Sequence, residues 1–210
     1  MRAGDGKAID WSPSYTYAGF RYVQLTGHPG TPDYNTLTAH FIHTDNEDIG
    51  SVSFSDPLLD KIQHITRASA MSNFQHVPTD CPQRERRGWL GDAQISAETN
   101  LYNFDMAGSY TSFLQSINDA QHHDCVFFNR TYCEIYGNYS NISGSIPDVV
   151  PFYGHGRQPG DPAWGAAYTL LPEWLSSWHR VRQHPSMDTQ VIRKSSQQLR
   201  LDSNGSTLLQ

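Results

Sequence analysis

Three carboxylates, Asp80, Glu85 and Asp92, fall within one short run that also carries Arg84, Arg86, Arg87 and Trp89: TDCPQRERRGWLGDAQ, Thr79 to Gln94. No core helix or strand needs that mixture. Pro82, Gly88 and Gly91 break regular structure, which predicts a loop. Loops carry a disproportionate share of binding and catalytic groups. Carboxyls crowded by like charge hold protons, while arginines favour the ionised form, so the cluster can offer a proton donor beside hydrogen-bond acceptors. The indole adds an apolar platform. These are the groups that hold and protonate a sugar. A charged loop is also commonly a solvated ion-pair cluster of little energetic weight. Trp89 favours a site, because an indole between two glycines and among charges gains nothing from facing water.

A second motif, Gly160-Asp161-Pro162-Ala163-Trp164-Gly165, opens a helix. Asp161 reads as its cap, with Pro162 at the first helical position. Trp164 then sits in the first turn, either as a core aromatic or as a wall beside the loops.

The first run resembles the signature of the bacterial and fungal α-L-rhamnosidases, inverting glycoside hydrolases that remove terminal α-L-rhamnose. Asp80, Cys81, Pro82, Gln83, Arg84, Glu85, Arg86, Gly88, Trp89, Gly91, Asp92 and Ala93 meet the pattern in order. One form of the motif carries an extra acid before the glutamate. This chain has the shorter form, in which Glu85 is the only glutamate of the motif. Ser145-Ile146-Pro147-Asp148 and Asp161-Pro162-Ala163-Trp164-Gly165 resemble two further segments of that family, and Tyr17 to Val23 resembles the β-sandwich segment that precedes its catalytic domain.

The resemblance implies that Glu85 is the general acid. It assigns Asp80, Asp92 and Arg84 to the rhamnose hydroxyls, and packs Trp89 and Trp164 against the sugar's methyl group and ring. It also implies a ring of helical hairpins with the catalytic loops at one end, and rhamnose-containing glycosides as partners. Inversion requires a second carboxyl roughly 6.5–9.5 Å from the first. In the family that base is a glutamate well downstream, and Glu98, Glu134 and Glu173 stand in the wrong contexts. The resemblance covers about residues 15–180, so the expectation is a rhamnosidase fragment with its base beyond the chain, weakly active or inactive alone. A rhamnose-binding fragment without turnover, and an assembly role through exposed helix faces, are the other readings.

The elements that must position these groups are mostly helical. Asp56 or Ser55 caps a helix from Pro57 to about Asn73, with Leu58, Leu59, Ile62 and Ile65 on a stripe expected to pack in the core. Ala93 to Asn103 is a further helix candidate, and Met106, Tyr110, Phe113, Leu114 and Ile117 mark a clearer one ending near Gln121. Beyond Trp164 a helix runs through Tyr168 and Leu171 to Pro172, which kinks or ends it, and Trp174, Leu175 and Trp178 read as core. Near the N-terminus, Phe20 to Thr26 and Thr36 to Thr44 read as two antiparallel strands, although two strands alone cannot bury a sheet face. The predicted fold is mainly α: a partial (α/α) six-hairpin toroid preceded by a short β segment from a β-sandwich domain. Residues 1–48 would end that β domain, 49–181 would form the first half of the toroid, and 182–210 a poorly ordered tail.

Composition narrows the classes. A net charge of −6 without a basic stripe argues against nucleic acid. Aromatics at 12% against 37% apolar residues suit a sugar binder and equally many β-rich proteins. No apolar run of membrane-spanning length appears. The histidines lack metal-ligand spacing and no phosphate-cradling glycine loop is present, so neither metal nor cofactor is expected. Cys125 and Cys133 stand either as free thiols or as a pair, and Cys81 reads as structural. Sequons at Asn129, Asn138, Asn141 and Asn204 point to a secreted protein, against the absence of a leader at Met1 to Asp10.

Overall fold

Asp56 starts the first helix: its carboxylate accepts the Leu58 backbone N–H at 2.8 Å, and Pro57 occupies the first turn. In the computed structural model, which describes residues 11–28, 30–121 and 144–182 with short stretches at 200–201 and 207–208, this helix is α1 (Pro57–Ser72). A two-residue antiparallel pair follows, β1 (Phe74–Gln75) and β2 (Val77–Pro78), with Phe74 opposite Pro78. Next come α2 (Leu90–Asn103), α3 (Ala107–Ala120), the short α4 (Pro162–Gly165) and α5 (Ala167–Arg182). A small antiparallel pair, β3 (Arg200–Leu201) and β4 (Thr207–Leu208), is described in the tail.

The core lies where α2, α3 and α5 meet. The predicted α3 stripe is buried throughout: Met106, Tyr110, Phe113, Leu114 and Ile117. It faces Leu90, Ala93, Ala97 and Leu101 of α2, and Ala167, Tyr168, Leu171 and Leu175 of α5. The buried Tyr110 hydroxyl accepts a hydrogen bond from Asn100 Nδ2 at 2.8 Å, and burial pushes its ionisation well above the ordinary phenol value. Trp174 and Trp178 pack against this core while only partly buried.

Several expectations need correction. Pro172 lies inside α5 and does not end it. The missing N–H removes one ladder bond, and the flanking buried residues Leu171 and Leu175 hold the helix on its neighbours. α2 begins at Leu90, three residues before the predicted start, so Gly91 and Asp92 are helical. The stripe of α1 is not core: Leu58, Leu59, Ile62 and Ile65 are exposed, and α1 has no fully buried residue. Neither predicted N-terminal strand forms. Phe20, Tyr22, Leu37 and Phe41 are exposed, and Asp48 makes the single bridge of that region, to Phe104, among the described residues. A strand is held by ladder partners and a buried face, and these segments have neither here.

Cys125, Cys133, Glu134 and the sequons at Asn129, Asn138, Asn141 and Asn204 lie outside the described residues, as does most of the predicted tail. No described helix is long and apolar enough to cross a membrane.

Candidate active site

The run from Asp80 to Arg87 is folded around the first carboxylate. Asp80 Oδ1 accepts the Arg87 N–H at 3.0 Å, and Oδ2 accepts the Cys81 thiol at 2.9 Å. The Asp80 N–H returns to the Arg87 carbonyl at 3.1 Å. Cys81 Sγ also accepts the Glu85 N–H at 3.2 Å, so the thiol is structural in the literal sense: it ties one acid to the backbone of the next. The turn closes with Arg86 N–H on the Cys81 carbonyl at 3.1 Å, which puts Arg86 at φ 54, the left-handed region.

Glu85 projects from this turn with its side chain 47% exposed. Trp89 Nε1–H donates to its Oε2 at 2.8 Å, which fixes one carboxyl oxygen and leaves the other open. The indole that looked wasted on a solvated loop is therefore the orienting partner of the predicted acid. Asp92 stands in the first turn of α2. Partial burial raises its ionisation above the ordinary carboxylate value, its own backbone N–H opposes this, and the charges of Asp80 and Glu85 add to the rise. Asp80, Glu85 and Asp92 thus share one electrostatic neighbourhood.

The two glycines around Trp89 serve close approach. A Cβ on Gly88 would stand 1.9 Å from the Val150 carbonyl oxygen, and one on Gly91 would stand 2.5 Å from Cε2 of Trp164. At the first, the strand-like segment 148–150 crosses the signature run: Val150 N–H bonds Gly88 O at 2.8 Å, and Leu90 N–H bonds Asp148 O at 2.9 Å. At the second, the Trp164 indole lies flat on α2 and remains 36% exposed. Asp161 acts as the cap it was expected to be, accepting Ala163 N–H at 2.9 Å. The structure therefore gathers Asp80, Glu85, Trp89, Asp92 and Trp164 together. Arg84 is exposed on the same loop, and no described residue pairs with it.

Three contributors were missed. Asp148, buried, accepts the backbone N–H groups of Arg157 at 2.9 Å and Asp161 at 2.6 Å, and so shapes the loop between them. On that loop His155 stacks edge-on against Trp89, ring centres 5.7 Å apart, with Nε2 3.9 Å from Glu85 Oε2. Tyr153 lies against the Arg87 guanidinium, 5.1 Å from ring centre to Cζ. Burial raises the Tyr153 phenol above its usual value, Arg87 lowers it, and the Glu85 and Asp80 charges raise it again. The signal available in the sequence was Gly154-His155-Gly156, a polar aromatic between two glycines, the same arrangement that singled out Trp89.

Residues 47–179 match the family model of the bacterial alpha-L-rhamnosidase six-hairpin glycosidase domain, more than half of the chain. The chain belongs to that family. Residues 2–43 match the bacterial alpha-L-rhamnosidase concanavalin-like domain. An alpha-L-rhamnosidase of Formosa agariphila is 34% identical over 167 residues, which is 78% of this chain and 16% of that protein. The rhamnosidase structure from Aspergillus terreus aligns with a TM-score of 0.63 at 32% identity, covering 88% of this chain and 19% of the other. That of Streptomyces avermitilis, solved with L-rhamnose, aligns at 0.61 and 28% identity, covering 81% and 14%. The chain therefore spans less than a fifth of the length of these rhamnosidases.

Proposed function

We propose that this chain carries the proton-donating half of an inverting α-L-rhamnosidase site. Glu85 is the general acid, donating to the glycosidic oxygen of a terminal α-L-rhamnoside. Asp80, Asp92 and Arg84 take the sugar hydroxyls, and Trp89 and Trp164 pack against its methyl group and ring. The observation that carries this is the Trp89–Glu85 hydrogen bond at 2.8 Å. It holds one oxygen of an otherwise open carboxyl, as a donor aimed at a substrate atom requires. The general base lies outside this set. Glu98 is bonded to the Tyr102 hydroxyl at 3.1 Å, and Glu173 sits on α5.

Binding of rhamnose without turnover is the second reading. It is favoured because the described residues supply no base beside Glu85: Glu98 is bonded to the Tyr102 hydroxyl and Glu173 sits on α5. Calorimetric titration with L-rhamnose tests the site, and an aryl α-L-rhamnoside tests turnover. Binding is expected in the wild type and in Glu85→Gln, and should weaken at least about tenfold in Asp92→Ala, the loss of one charged hydrogen bond, and roughly 2- to 12-fold in Trp89→Ala, the loss of one stacked ring. Weak turnover that Glu85→Gln abolishes selects the proton-donating reading, robust turnover that it abolishes refutes the half-site, and binding without turnover selects the second reading. No binding to the wild type at millimolar sugar refutes both. The sequons make secretion the proposed location.

A further inference from the structure

We propose that Tyr153 and His155 form the leaving-group subsite beside Glu85, and that this subsite takes an aromatic aglycone. The inference rests on Glu85 as proton donor. A donor faces the oxygen of the departing group, so side chains bordering its carboxyl can meet the aglycone. His155 borders it, with Nε2 3.9 Å from Oε2, the oxygen that Trp89 also holds. Tyr153 is on the same bend, and its phenol senses the charges of Glu85 and Asp80. Arg87 covers the Tyr153 ring at 5.1 Å, yet 58% of the residue is open to solvent. A tyrosine held by a cation and left bare offers a stacking platform to a planar group.

The bend is built to hold that platform still. Gly154 at φ 91 and Gly156 at φ 79 bracket His155, and a Cβ on Gly156 would press on Asp148 Cβ at 3.0 Å. The buried Asp148 carboxylate then accepts the Arg157 N–H at 2.9 Å, fastening the base of the bend to the segment that crosses Gly88. Preorganised aromatic surface of this kind adds affinity without ordering cost.

The experiment compares two hydrolysis-resistant ligands, phenyl and methyl 1-thio-α-L-rhamnoside, by calorimetry on the full chain. The phenyl ligand should bind the wild type roughly 2- to 12-fold more tightly, the range for one aromatic stacking contact. Tyr153→Phe should keep that ratio. Tyr153→Ala should bring it to about one. Equal binding of both ligands to the wild type overturns the subsite while leaving the sugar site intact, as does a phenyl preference that survives in Tyr153→Ala. Binding of neither ligand overturns the sugar site and this subsite together.

Discussion

Gly88→Ala asks whether the candidate site is held together where segment 148–150 crosses the signature run. The added methyl would stand 1.9 Å from the Val150 carbonyl oxygen, and ordinary contact begins at 3.4 Å, so the two backbones must part by about 1.5 Å. Backbone cannot rotate away as a flexible side chain can. The Val150 N–H to Gly88 O bond, 2.8 Å long, would open beyond hydrogen-bond reach and leave buried groups unpaired. Overpacking costs roughly 1–3 kcal/mol and the lost bond roughly 1 kcal/mol, which gives about 2–4 kcal/mol. For a chain of this size that lowers Tm by roughly 4–16 °C. Differential scanning calorimetry reads the shift, with Gly108→Ala as the comparison. Gly108 lies in α3 with no atom near its missing Cβ, so that change should be neutral or stabilising by up to about 1 kcal/mol. Equal melting of Gly88→Ala and wild type, with L-rhamnose affinity intact, would refute the view that this crossing organises the site.

Asp92→Asn should not lower stability at pH 7. The folded protein raises the ionisation of Asp92, so its charge opposes folding above the ordinary carboxylate range. That opposition fades as pH falls toward 3, and the variant's advantage in urea denaturation should shrink with it; an advantage that grows toward acid contradicts the assignment. Asp148→Ala should destabilise by about 2–4 kcal/mol by stripping acceptors from the Arg157 and Asp161 amides, and hydrogen exchange at those two amides should accelerate together. Ile62→Lys should reduce self-association in sedimentation velocity, since it charges the open stripe of α1; unchanged association would place the sticky surface elsewhere.

What the residues disclosed in advance follows a physical division. Local rules were legible: Asp56 and Asp161 cap the helices they precede, and the α3 stripe from Met106 to Ile117 is core. Periodicity says that a face wants burial, and not whether anything covers it. The Leu58–Ile65 stripe has the right spacing and stays exposed, and the alternation in Thr36–Thr44 finds no strand to pair with. Gly88 and Gly91 were readable as breakers, yet one is pressed by Val150 and the other by Trp164 from more than sixty residues away, which no local pattern reports. The same distance hid Tyr153, His155 and Asp148.

The signature turn has a second burden. Gly19 donates its N–H to the Pro82 carbonyl at 3.1 Å, and the Arg86 guanidinium reaches the Tyr17 carbonyl while lying over that residue's ring. The stretch that would deliver a proton is thus also the peg on which the amino-terminal segment hangs. A change at Tyr17 or Gly19, remote from any sugar, transmits directly to the acid through Arg86 and the Cys81 turn, so tolerance to mutation in the leading segment should mirror that of the chemistry itself.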